Sequence, residues 1–275
     1  MDKFLDRRSV LLNQGSGYEP EVDVALEKMA TPFEEDNAIS LNNFVISVKN
    51  GSGLDLGANN LHTMYDGVYR TMGPSSNILD YGVNLVDGRL QNLTATGTIS
   101  FDSVKGCSMT SGWARFNCNL HSGTGVQFSQ NDGTIMAVVT EIDPTTSEQW
   151  YWGSRSASSS SVGRFEYSYN RLSDRYAWTH FDTTNYNNTR PRIPGTVGLQ
   201  RDNSLTSKIL LPSGTFWELA STAGTWGAQQ IDLGNYNNEG VRSRAMKDRS
   251  AAWLIGNGSV PVLNVRTSLN SYFGI

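Results

Sequence analysis

The stretch from Gly133 to Gly153, GTIMAVVTEIDPTTSEQWYWG, decides the reading of the fold. Ile135 to Val139 is an apolar run rich in β-branched residues and too short to span a membrane. Successive side chains of a strand point to opposite faces. One face here carries Ile135, Ala137 and Val139, and the other carries Met136, Val138 and Ile142. With both faces apolar, the run reads as a central strand covered on both sides. Pro144 to Ser147 then turn the chain into Gln149-Trp150-Tyr151-Trp152, expected to return as the second half of a hairpin-like pair.

Working outward, β patterns dominate from Asn42. Strands are expected at Phe44 to Val48, Thr98 to Phe101, Val126 to Phe128, Tyr176 to Phe181, Ala251 to Ile255 and Val262 to Val265. Phe165, Tyr167 and Tyr169 alternate with Glu166 and Ser168, which predicts a half-exposed strand with an aromatic face. Lys208 to Leu211 and Thr215 to Leu219 flank Pro212-Ser213-Gly214, a hairpin signature. Asn185 to Asn188 and Asn235 to Asn238 repeat the tetrapeptide Asn-Tyr-Asn-Asn and read as turns. Ser156 to Gly163 is a serine-rich loop. The 27 glycines and the low charged content, 17% against about 25% in soluble domains, suit an all-β chain with many turns. The fold expected is a two-sheet antiparallel jelly-roll sandwich.

Residues 1–41 differ. Asp2 to Leu12 and Glu21 to Ala30 are helical candidates, the second opened by Pro20 and stopped by Pro32. Two short helices cannot bury a core alone. They are expected to form a docking arm (1–41) ahead of a lectin-like sandwich (42–275), or a cap lying on that sandwich.

Several functions are disfavoured. A net charge of −4 argues against nucleic acid as a bulk partner. No apolar segment is long enough for a membrane span, and the N-terminus has no secretory pattern, so folding in a cytosol is expected. Gly51 to Gly57 has the spacing GxGxxxG, without a following helix, so phosphate binding is not expected there. Cys107 and Cys118 read as two buried thiols or one hairpin disulfide. His62, His121 and His180 are scattered. The basic run Val241 to Arg249 is either a contact for an acidic neighbour or a solvated loop.

The segments Leu61–Gly67 (LHTMYDG), Thr134–Val139 (TIMAVV), Tyr151–Ser154 (YWGS), Gly198–Leu211 with its turn, and Trp253–Gly256 (WLIG) occur in an order that resembles the concanavalin A-like, laminin-G-like domains of bacteriophage structural proteins. The resemblance implies a non-enzymatic virion component of a tail, fibre, baseplate or capsid decoration. It would be assembled in a host cytoplasm, trimeric by default, and joined to other virion proteins through residues 1–41. The sandwich would serve assembly or adhesion to a host-surface glycan. Legume-type lectins of this fold begin a calcium site with Glu-x-Asp, which implies Glu141 and Asp143 as candidate ligands. Calcium needs about six to eight oxygens, and Pro144 to Ser147 do not supply the family's remaining ligands, so no cofactor is expected. Glycoside hydrolases need two carboxylates about 5–9.5 Å apart. Glu148, seven residues after Glu141, does not match their Glu-x-Asp-x-Glu spacing. The alternative function is a carbohydrate-binding module with a shallow aromatic platform built from Trp150, Trp152, Trp178 and Tyr186, with Asn185 beside it.

Overall fold

A computed structural model describes residues 17–29, 35–74, 80–120, 125–145, 148–155, 165–170, 175–180, 186–202, 206–220, 230–238 and 244–275. The expected helix at Asp2–Leu12 and the serine-rich loop at 156–163 lie outside these residues. The described chain forms three helices, α1 (Pro20–Lys28), α2 (Glu35–Ser52) and α3 (Val262–Phe273). Its first eight strands are β1 (Tyr65–Arg70), β2 (Thr94–Thr96), β3 (Ile99–Asp102), β4 (Gly106–Met109), β5 (Arg115–Asn117), β6 (Asp132–Glu141), β7 (Glu148–Arg155) and β8 (Phe165–Asn170). The rest are β9 (Arg175–His180), β10 (Tyr186–Thr189), β11 (Gly195–Asp202), β12 (Thr206–Leu210), β13 (Phe216–Ala220), β14 (Asp232–Leu233), β15 (Asn237–Asn238) and β16 (Arg249–Gly256).

The strands make two sheets. One runs β13-β12-β11-β6-β16-β4-β3, with β1 also on β16; the other runs β10-β9-β8-β7-β14-β5-β2, with β15 also on β7. All described pairings are antiparallel except β15 with β7. The two-sheet sandwich expected from the pattern is therefore present. Helices add a third layer on the outer face of the first sheet.

Strand β6 shows why. Ile135, Ala137 and Val139 join the core between the sheets, with Tyr167, Trp152 and Trp253. Met136 and Val138 join a second core, with Phe44, Val48, Val265 and Leu269 from the helices. Its neighbours are β11, where Ala137 faces Val197, and β16, where Ala137 faces Trp253. Each face of one strand thus belongs to a different core. Fully burying side chains of this size stabilises by about 1.5–3 kcal/mol each.

Several expectations are corrected. Strand β7 does not pair with β6; it crosses to the other sheet, between β14 and β8. A bulge between Trp150 and Trp152 breaks the alternation there, and Tyr151 and Trp152 both enter the inter-sheet core. Strand β8 is not half-exposed, because Glu166 and Ser168 are buried along with the aromatic face. Phe44–Val48 and Val262–Val265 are helical. The controlling pattern is Leu41, Phe44, Val45 and Val48, a helical i, i+3, i+4, i+7 stripe, over which the local β-branched run misleads. Position 41/42 accordingly falls inside α2. Val126–Phe128 is irregular, and Tyr186–Thr189 and Asn237–Asn238, expected as turns, are strand; Phe181, expected to end the strand at β9, lies outside the described residues.

The α2–α3 crossing is close because its residues are small. A Cβ on Gly51 would lie 2.7 Å from Val265 Cα. One turn away, Ser47 Oγ donates to the Ser268 carbonyl at 3.0 Å and Ser268 Oγ donates to the Ser47 carbonyl at 2.7 Å. Gly53, with φ +70°, then takes the left-handed conformation that ends α2.

Helix α1 is fastened to this layer by charge as well as by Val22, Ala25 and Leu26. Lys49 is fully buried and lies 2.5 Å from Glu19 Oε2 and 2.8 Å from Glu21 Oε2. The Gly57 amide donates to Glu19, and the Asn60 and Leu61 amides donate to Glu21. The glycine-containing loop thus does hold an anion, supplied by the chain itself. Removing one partner of a buried ion group strands the others. Lys49→Met should lose about 3–5 kcal/mol in urea unfolding. Adding Glu19→Gln and Glu21→Gln should recover much of that loss; no recovery would show that Lys49 acts by packing alone.

Candidate functional site

The aromatic residues expected to form a glycan platform are mostly interior. Trp152 and Trp178 are 0% exposed. They pack about Tyr167, with ring centroids at 5.0 Å and 6.4 Å. Trp150 faces out of the second sheet but is buried, 4% exposed. Tyr236 stacks on it at 5.3 Å, and the Arg244 guanidinium lies 4.8 Å from its ring centre. Its indole N–H donates to Glu166 at 3.2 Å. None of the three presents a ring face to a sugar. Tyr186 starts β10, but its side chain is not described, and Asn185 lies outside the described residues. The three tryptophans are thus buried, Trp152 and Trp178 because Trp gains most from burying its area between two sheets.

The Glu141–Asp143 pair is also committed elsewhere. Glu141 sits 2.5 Å from Lys105 Nζ and 3.1 Å from Arg249 Nε. Asp143 lies past the end of β6, and its Oδ1 accepts from the Thr145 amide and hydroxyl at 2.7 and 2.6 Å. Side-chain cations thus engage the Glu141 carboxylate, and Thr145 engages that of Asp143. No group of three metal-ligating side chains occurs among the described residues. Glu148 is paired with Arg244 at 2.9 Å. His62 donates no imidazole contact to any of these groups; its carbonyl accepts from Gln127. His121 lies outside the described residues. Both cysteines are free and buried, and burial pushes each thiol up to about 12.

At the same end of the sandwich, Asp248 is a buried junction. Its carboxylate accepts from the Asp143 amide at 2.8 Å, Gln149 Nε2 at 2.5 Å and Tyr151 OH at 2.9 Å. Arg192 lies 3.7 Å away, donates to the Asp143 carbonyl and covers the Tyr169 ring at 4.7 Å. Burial raises the Asp248 carboxyl above the ordinary carboxylate range, against the opposing pull of Arg192. Within the basic run, Lys247 and Arg249 donate to the carbonyls of Met109 and Gly106. Arg244, Lys247 and Arg249 are thus engaged within the chain, and Arg242 lies outside the described residues.

An open cavity of about 610 Å³ lies on the helical layer, between α2 and α3. Asn43, Ile46 and Asn50 line it from α2, and Asn264, Thr267, Ser271 and Tyr272 from α3. Gly51, Ser47 and Ser268 form its floor where the helices meet. None of the lining residues is charged. Tyr272 OH donates to the Ser40 carbonyl and Thr267 Oγ1 to the Leu263 carbonyl. Amides and hydroxyls face an open surface beside one aliphatic and one aromatic side chain, an arrangement that can hydrogen-bond and pack a polar, uncharged ligand. Elsewhere, Trp113 is 53% exposed. It stands in the loop between β4 and β5, a surface aromatic that strand patterns did not single out.

No family model matches the chain, and no curated protein matches it. Among solved structures, a mutant of Trypanosoma rangeli sialidase displaying trans-sialidase activity is similar over 86% of this chain and 38% of that one, at 10% identity and a TM-score of 0.56. A leech intramolecular trans-sialidase complexed with 2,7-anhydro-Neu5Ac is 16% identical over 51% of this chain and 24% of that one, with a TM-score of 0.40. The CBM40 of Ruminococcus gnavus IT-sialidase, bound to α2,3-sialyllactose, is 14% identical over 46% of this chain and 75% of that one, with a TM-score of 0.37. The chain spans less than a quarter of the length of the first sialidases it matches. The first likeness is one of fold; the other two are too weak to add to it.

Two outcomes are expected. Neither calcium nor a chelator should move the thermal midpoint of the full chain; a calcium-dependent rise abolished by Glu141→Gln would reverse the assignment of Glu141 to Lys105 and Arg249. Asp248 ionises less readily in the folded chain than in the unfolded one. Its charged form therefore weakens the fold at neutral pH, and that penalty is relieved as pH falls through the folded pKa towards the ordinary carboxylate range. Chemical-denaturation curves should show the gap between wild type and Asp248→Asn changing across this window, in the direction of a more stable wild type at lower pH. A pH-independent gap would exclude the shift.

Proposed function

We propose that this chain is a non-enzymatic, carbohydrate-recognising β-sandwich protein whose ligand groove lies between α2 and α3. The observation that carries the reading is the groove itself: an open cavity lined by neutral hydrogen-bonding side chains with Ile46 and Tyr272 among them. Sugars offer hydroxyls for such groups and C–H faces for such walls. The sandwich shared with a sialidase, a protein that acts on glycans, supports the reading at the level of fold. The engagement of Glu141 and Glu148 with cations disfavours a hydrolase built on that pair of carboxylates.

A glycan array probed with the full chain tests this. Binding is expected, with no sugar released on long incubation. Asn43→Ala with Asn264→Ala should weaken it by about tenfold or more, roughly two lost hydrogen bonds, and leave the unfolding midpoint nearly unchanged, since both residues are exposed. Absence of binding to any glycan would overturn the reading. So would released product that disappears in Glu141→Gln.

A second reading, a structural subunit of a virion, draws on different residues. Ile39, Leu263 and Ile275 are exposed apolar side chains around the same helical layer. That reading expects a stable oligomer by light scattering, dispersed by Ile39→Glu with Leu263→Glu; a monomer at all concentrations would count against self-assembly through this face.

A further inference from the structure

The four corners of the groove bear on which glycan it takes, an inference that rests on the proposed function. Helices α2 and α3 run antiparallel, since Ser40 meets Tyr272, Ser47 meets Ser268 and Gly51 meets Val265. Asn43 and Asn50 are seven residues apart on α2, and Asn264 and Ser271 are seven apart on α3. Seven residues are two turns, about 10.5 Å of helix. Asn50 therefore stands across the groove from Asn264, and Asn43 across from Ser271. These four side chains line the cavity and make no hydrogen bond to another described residue. The hydroxyls of Ser47, Ser268, Thr267 and Tyr272 are already committed to carbonyls of the helices.

This arrangement selects by charge and by length. A sialic acid carboxylate or a sulfate entering the groove would lose water and meet no cation, because no lining residue carries a charge. A side-chain amide offers a donor and an acceptor side by side, which matches vicinal hydroxyls or an acetamido group. The two pairs of polar residues are separated by more than the width of one pyranose ring. We propose that the groove binds an uncharged oligosaccharide of at least two sugar residues lying along the helix pair. Asn50 and Asn264 hold one residue, Asn43 and Ser271 hold the next, and Ile46 and Tyr272 lie against the ring faces.

Calorimetric titration of the full chain with cellotetraose, maltotetraose, tetraacetyl-chitotetraose, their monosaccharides and 3′-sialyllactose tests the proposal. At least one tetraose is expected to bind more tightly than its monosaccharide and than 3′-sialyllactose. Asn50→Ala with Asn264→Ala should weaken that binding by about tenfold or more, and Asn43→Ala with Ser271→Ala should bring tetraose affinity towards that of the monosaccharide. Trp113→Ala should leave it unchanged. Unaltered unfolding midpoints would show that the variants are folded. Preference for 3′-sialyllactose, or tetraose binding that ignores both groove pairs, would overturn the assignment while leaving carbohydrate recognition standing. Silence towards every glycan, including a broad array, would remove both.

Discussion

Everything in this molecule leans on the double-sided burial of β6. A strand with one apolar face can end a protein at its other face, in water. β6 cannot, because Met136 and Val138 are as apolar as Ile135 and Val139. Something must lie on each side. The second sheet covers one face and the helical layer covers the other. The helices are therefore part of the same hydrophobic requirement as the sheets, and α1, far from the sandwich in sequence, is drawn in by it. Once α2 and α3 must lie side by side on a sheet, small residues at their crossing let them approach, and the polar residues on their outer shoulders define a groove.

Several buried carboxylates among the described residues gather donors from distant parts of the chain. Asp66 accepts from the Gln127 and Phe128 amides at 2.8 and 2.7 Å and pairs with Arg89 at 3.2 Å. Asp248 and the Glu19–Glu21 pair do the same elsewhere. Burial without such partners is costly. These carboxylates fasten irregular segments that no sheet ladder reaches. Asp66 is also the acid of the Asp-Gly pair in LHTMYDG, so that short motif has a mechanical role. Its glycine is needed too, since a Cβ on Gly67 would lie 2.5 Å from the Tyr69 ring.

The sequence showed the sandwich most clearly where one periodicity prevailed. Strands β6, β12, β13 and β16 were legible from apolar runs and turn residues, because local pattern and tertiary burial agree there. In α2 they disagree: Phe44-Val45-Ile46 looks like a strand in a five-residue window, and only the spacing from Leu41 to Val48 gives the helix. Val262–Val265 misled for the same reason. The pairing of β7 was not legible, because partner choice depends on which core the Trp and Tyr side chains enter. The tryptophans misled since a tryptophan on a strand reads alike whether it faces sugar or core. Asn43 with Asn50 and Asn264 with Ser271 did carry a signal, a spacing of seven. It had meaning only after both segments were helical and adjacent, and adjacency across more than two hundred residues is a tertiary fact.

The place of β16 has a consequence in time. It sits beside β6 in the middle of the first sheet, and β1 has no other described strand partner. Tyr65 thus finds Gly256 as its neighbour. During synthesis, β1, β4 and β6 all exist before the strand that joins them. Until residues 249–256 leave the ribosome, β6 keeps one unpaired edge and the helical layer has an incomplete sheet to rest on. Such non-local pairing slows folding and leaves strand edges open to other chains. On this topology the sheet cannot be completed until β16 is made, and a chain cut short before Arg249 loses the strand on which its earlier half closes.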